Sequence, residues 1–132
     1  MALKWGRIII ATIVAEIVPL AALVAIVAIT MPPDVENQTA YAAGIGNWVG
    51  PIGGSLMAFL GGLWVARKLE RGHALNGFMV GFLLALIDAV SLVALDAPFA
   101  WLFVVSNGGK MIFGTVGGLT AKRLPRPAAG AS

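Results

Sequence analysis

Cysteine is absent from the 132 residues, histidine and tyrosine occur once each, and only 11% of the chain is charged. Without cysteine there is no disulfide, no thiolate metal site and no thiol nucleophile, and the redox compartment leaves no trace. A single histidine, His73, excludes a paired-histidine metal motif such as HExxH, and no Ser-His-acid set stands out. The chain is therefore expected not to be an enzyme, with no catalytic residue, no metal ligands and no cofactor. The shortage of charge excludes still more. Soluble domains are about one quarter charged, whereas 59% of this chain is hydrophobic. So short a chain could not bury that much apolar surface in one core. Lipid is the expected solvent, and the length predicts a single domain, 1–132.

What is present is four apolar runs, at about 7–30, 42–66, 74–95 and 98–121, each near the ~20 residues that a spanning helix needs. They are too long for strands and lack period-two alternation. The links "MPPDVENQTAY", "RKLERGH" and "DA" are short, which predicts antiparallel neighbours. Pro32 and Pro33 should end the first helix. Residues 122–132, closing in "PRPAAGAS", are expected to form a disordered tail. The first run contains Glu16 and is longer than a signal-peptide core, so it reads as a retained helix.

Basic residues set the expected orientation. Lys4 and Arg7 precede the first run, Arg67, Lys68 and Arg71 link the second to the third, and Lys122, Arg123 and Arg126 follow the fourth. The other two links carry only Asp34, Glu36 and Asp96. The positive-inside rule then places both termini in the cytoplasm. Trp5 and Trp64 fall near one interface, and Tyr41, Trp48 and Trp101 near the other. The basic rim should attract anionic lipid headgroups, while nothing resembles a nucleic-acid-reading motif.

Glycine is abundant, and its spacing is regular. Gly46, Gly50, Gly54, Ala58, Gly62 and Ala66 recur every fourth residue; Gly77 and Gly81 continue as Ala85 and Ala89; Gly114, Gly117 and Gly118 sit together in the fourth run. Small-xxx-small stripes let helix backbones approach in lipid, so these glycines are assigned to helix packing within the bundle or to a second subunit. A duplication also shows. "GGSLMAFLGGLWVARKL" (53–69) aligns without gaps on "GGKMIFGTVGGLTAKRL" (108–124), and "EIVPLAA" (16–22) resembles "DAVSLVA" (88–94). This reads as two parallel-repeated helical hairpins, with chance likeness between Gly- and Ala-rich helices as the alternative.

Three ionisable residues, Glu16, Asp88 and Lys110, lie deep in the runs. Each costs about 2.5–3.5 kcal/mol at a helix centre on insertion scales, so each should face the interior or water and find a partner. At about 1.5 Å per residue, Glu16 and Lys110 differ in depth by only ~3 Å, while Asp88 and Asn107 lie nearer the other interface. Ser55 aligns with Lys110 in the repeat and is expected opposite it. Glu16, Ser55, Asp88, Asn107 and Lys110 form the candidate polar cluster, with Lys110 as counter-charge to one or both acids. Two carboxylates meet one ammonium, so one carboxyl should carry a proton or hold a cation. "GGK" (108–110) is not a phosphate loop, because its flanking residues do not fit that pattern.

The stretch "GGLWVARKLERGHALNGFMVGFLLALIDAV" (61–90) resembles small Gly-rich four-helix proteins of bacterial inner membranes. That resemblance implies a multi-pass inner (plasma) membrane protein and carries no activity. The expected fold is all-α, an integral membrane bundle of four transmembrane helices with both termini cytoplasmic. The expected function is a self-associating structural or accessory bundle, forming a homo-oligomer or joining a membrane partner. The alternative is a small proton- or cation-linked transporter or channel using the same cluster. A dry, packed cluster favours the first and a water-filled cavity the second.

Overall fold

The computed structural model describes residues 3–125. The chain is all-helical: α1 (Trp5–Thr30), α2 (Gln38–Ala66), α3 (His73–Ala94) and α4 (Trp101–Arg123). Among the described residues α1, α2 and α3 are long and apolar enough to cross a membrane. Arg126 and most of the expected tail lie outside the described residues.

Local chemistry explains the helix ends. Met31 caps α1 and Pro32 follows it, and Tyr41 Oη donates to Thr30 Oγ1 at 2.8 Å, tying the end of α1 to the start of α2. Asn37 caps α2, its side-chain oxygen accepting from Ala40 N at 3.0 Å. That cap starts α2 at Gln38, a turn before the apolar run begins. Gly72 precedes α3 in the left-handed conformation, φ 76°, which glycine adopts without strain. The Asn76 side chain donates to Gly72 O and accepts from Lys4 N, both at 2.9 Å, so the N-terminal segment is tied to α3. α4 starts at Trp101 rather than Pro98, because Ala100 is extended and the Phe99 and Phe103 rings pack 5.9 Å apart across the junction. It runs on through Lys122 and Arg123, whose charges suit the negative end of the helix dipole.

The packing order is unequal. α2 and α3 occupy the middle; α4 lies against both, and α1 lies mainly against α2. Among the described residues the backbones of α1 and α4 do not approach one another. α3 and α4 pack antiparallel through glycine: a Cβ on Gly77 would strike Gly114 O, one on Gly81 would strike Lys110 O, and one on Gly118 would strike His73 O. α2 and α4 pack in parallel, with Gly62 against Gly114 and Gly117 against the Phe59 backbone. α1 crosses α2 where Pro19 meets Gly53 and Ala11 meets Gly61.

Three basic segments, at Lys4 and Arg7, at Arg67, Lys68 and Arg71, and at Lys122 and Arg123, meet at one end of the bundle, here called the basic end; the α1–α2 and α3–α4 links form the loop end. Tight packing is confined toward the basic end. The core residues Ile8, Ala11, Ala15, Ala58, Val65, Val80 and Leu84 all belong to that half, and Ala66, Leu69 and Ala121 close its tip. α1 has no buried residue beyond Ala15, α2 none before Gly54, and α3 none beyond Leu84. The exterior is apolar all round, including Ile13, Ile17, Leu56, Phe82, Leu86, Phe113 and Val116.

Candidate functional site

Where the helices part, a cleft of about 200 Å³ opens among all four of them. Glu16 reaches it from α1, Asp88 from α3, and Ser106 and Lys110 from α4. Gly46, Gly50 and Gly54 form its α2 wall, and Ala15 and Pro19 line it beside Glu16.

Lys110 is only 6% exposed. Its ammonium donates to Asp88 Oδ2. The lysine stem crosses α2 at Gly54, where a Cβ would fall on Lys110 Cε. Gly54 leaves the space through which the lysine stem passes, and a side chain there would push the stem aside. Helical side chains lean toward their own N-terminus. α3 starts at the basic end and α4 at the loop end, so Asp88 and Lys110 lean toward each other. Gly81 touches the Lys110 backbone, and Asp88 stands two turns further along α3, about 10 Å nearer the loop end. Opposed leaning spans that gap. Glu16 lies on α1, which runs parallel to α3. It starts near the depth of Lys110 but leans the other way, and its Oε1 is buried without a hydrogen-bond partner among the described residues.

The five expected cluster residues separate into two groups. Glu16, Asp88 and Lys110 meet at the cleft. Asn107 is buried but bonds within its own helix, Nδ2 donating to Phe103 O at 2.9 Å, and its Oδ1 is buried and unpartnered. Ser55 does not face Lys110. Gly54 takes that place, and the 100° step to the next residue turns Ser55 toward Gly109 in a separate groove between α2 and α4. Ser106 and Pro19 line the cleft and were not in the expected cluster. Ser106 is one turn from Lys110 on the same helix face, a spacing that was readable.

The packing glycines separate in the same way. Gly62, Gly77, Gly81, Gly114, Gly117 and Gly118 face neighbouring backbone, and Gly54 faces the lysine stem. Gly46 and Gly50 do not serve close packing: a Cβ at Gly50 would meet nothing within 4 Å, and one at Gly46 only Leu23 at 3.7 Å. The helices have already separated at that level, so these two glycines widen the cleft.

Around the rim of the basic end, the Arg7 guanidinium donates to Trp64 O and stacks 4.2 Å from the centre of the Trp64 ring, joining α1 to α2. Compared with family models, with curated proteins and with solved structures, the chain has no match in any of the three.

Proposed function

We propose that the chain is a four-span membrane protein that carries or conducts a small cation through the cleft at Glu16, Asp88 and Lys110. The observation that carries this reading is the cleft itself. A volume of about 200 Å³ has room for several waters beside the charged groups, since one water needs only about 10–15 Å³ of such space. Asp88 and Lys110 neutralise each other, so Glu16 is left as the group that takes up charge. A dry, packed cluster would have favoured a purely structural role.

The fourth span is supported by the way α4 distributes its residues. From Trp101 to Leu119 its exposed side chains are Trp101, Leu102, Val104, Val105, Ile112, Phe113, Val116 and Leu119, all apolar, while Asn107 and Lys110 are buried. Its low overall hydropathy comes from the face it hides. Both termini are proposed to be cytoplasmic in a bacterial inner membrane, with the basic end drawn to anionic headgroups.

The proposed duplication draws support from α2 and α4. Gly54 meets Lys110 while Ser55 meets Gly109, and Gly62 meets Gly114 while Phe59 meets Gly117. Each contact is the mirror of the other under the alignment of 53–69 with 108–124, which is what a two-fold axis along the bundle produces. α1 and α3 do not share that symmetry: Glu16 lies level with the Lys110 backbone and Asp88 two turns beyond it.

A second reading, self-association as an accessory bundle, is favoured by one feature. An apolar groove of about 640 Å³ runs along α2 and α4 past Pro51, Ser55, Phe59, Gly109 and Phe113. The two readings are tested together in liposomes. Cation or proton flux is expected from the parent and should be lost in Glu16→Gln and reduced in Asp88→Asn. An oligomer that supports no flux under any gradient would replace the transport reading with the accessory one.

A further inference from the structure

We infer that the cleft's occupant is a hydrated alkali cation of sodium's size, held by the Glu16 carboxylate and by the Ala15 carbonyl that Pro19 leaves without a helical donor. This rests on reading the cleft as a cation site and specifies which cation it takes.

Four observations lead there. The first is charge. Asp88 and Lys110 form an ion pair, which leaves Glu16 as the acid in the cleft with no ion-pair partner among the described residues, and a monovalent ion would balance its carboxylate. A divalent ion would leave a net positive charge at mid-depth, and no group of three His, Cys, Asp or Glu suited to a metal occurs among the described residues. The second is the donor set. Proline has no N–H, so Pro19 withdraws the helical hydrogen bond from the carbonyl four residues earlier, that of Ala15. Ala15, Glu16 and Pro19 all line the cleft, so the residue whose carbonyl is freed and the residue that carries the carboxylate are neighbours on one turn of α1. Hard cations take oxygen donors of these two kinds, and helix interruptions at membrane depth are where backbone carbonyls become available to them.

The third observation is orientation. Glu16 Oε1 is buried and has no hydrogen-bond donor, although the Lys110 ammonium is in the same cleft. The lysine is held away by Asp88 and by the lean of α4, so the carboxylate is not satisfied by protein. The fourth is the wall. No aromatic residue lines the cleft among the described residues, and an organic ammonium would be expected to use aromatic faces. The volume suits an alkali ion with part of its water shell. A site for a proton alone would need neither the freed carbonyl nor that space.

The test is equilibrium binding of radioactive sodium to the purified full chain in detergent, at ionic strength held constant with choline chloride. Saturable binding of one ion per chain is expected, competed by lithium and not by choline. Glu16→Gln should abolish it. Pro19→Ala restores an N–H for the Ala15 carbonyl and should weaken binding by about tenfold, the scale of one interaction with a charged group. Pro19→Gly restores the same N–H with a different side chain and should weaken it similarly, which guards against a misfolded alanine variant. Asp34→Asn, in the α1–α2 link, should bind as the parent does. Sodium binding no greater than in Glu16→Gln, or parental affinity in both Pro19 variants, would overturn the inference. Proton flux measured on the same preparations separates the two levels. Glu16-dependent proton flux without sodium binding removes the alkali site and leaves the carrier standing; absence of both removes both.

Discussion

The two halves of this bundle are built from similar residues and behave differently. Toward the basic end, Gly62, Gly77, Gly81, Gly114, Gly117 and Gly118 bring helix backbones into contact. Toward the loop end, Gly46 and Gly50 continue the same four-residue stripe on α2 and touch almost nothing. A stripe of small residues is therefore not sufficient for close packing. It works where the facing backbone comes within reach, as that of Gly114 does for Gly77 and that of Lys110 does for Gly81. Toward the basic end backbone meets backbone at the glycines, whereas at the level of Gly46 and Gly50 the neighbouring helices have moved apart and the glycines are left facing open space. The open half then has the room in which charged groups can sit beside water.

That contrast is most severely tested by adding side chains to each half. Gly81→Ile places a branched side chain on the Lys110 carbonyl and should cost more than about 3 kcal/mol, toward the upper end for overpacking, with loss of the folded species in thermal melts and gel filtration. Gly50→Ala fills open space on the same kind of stripe and should shift stability by less than about 0.5 kcal/mol in either direction. If the two variants melted together, the division of the bundle into a closed and an open half would be wrong.

A smaller effect is expected at the boundary between the halves. Lys110→Met leaves two acids facing the cleft, and breaking a buried pair costs about 3–5 kcal/mol when the remaining charge cannot be neutralised. A carboxyl that can take up a proton or meet water should hold the loss to about 2 kcal/mol. Adding Asp88→Asn should recover part of it, with a coupling of about 1–2 kcal/mol in a double-mutant cycle. Adding Glu16→Gln should show weaker coupling than Asp88→Asn, because the ammonium is ion-paired to Asp88. Stronger coupling to Glu16 than to Asp88 would reverse the pairing. Smallest of all is the loop end. Asn37→Ala removes the α2 cap and should cost about 1 kcal/mol, read as a lowered melting temperature with the cleft's binding unchanged.

Much of the site could be read before any coordinates. Glu16, Asp88 and Lys110 stood out because each is expensive inside an apolar run, and Lys110 was readable as a group that needs glycine beside it. Which acid it meets was harder. Depth favoured Glu16, level with the lysine to within about 3 Å. Direction favoured Asp88, because side chains lean toward a helix's N-terminus and α3 and α4 run oppositely. Ser55 was misplaced for a related reason. Alignment in the repeat made it the counterpart of Lys110, but in the structure Ser55 lies beside Gly109, the lysine's neighbour, and Gly54 beside the lysine.

The sequence alone determined four helical segments, where the turns fall, which charges lie within the helices and which faces carry small residues. These follow from composition and period along one chain, with the proline and glycine positions marking the ends. Only the tertiary structure decided that the glycines close one half and not the other, that Lys110 pairs with Asp88, and that Glu16 is left facing a cleft beside Pro19. Those outcomes depend on how far apart two helices sit and how each is rotated. Both are set by pairs of surfaces distant in the chain, and no single segment carries that information.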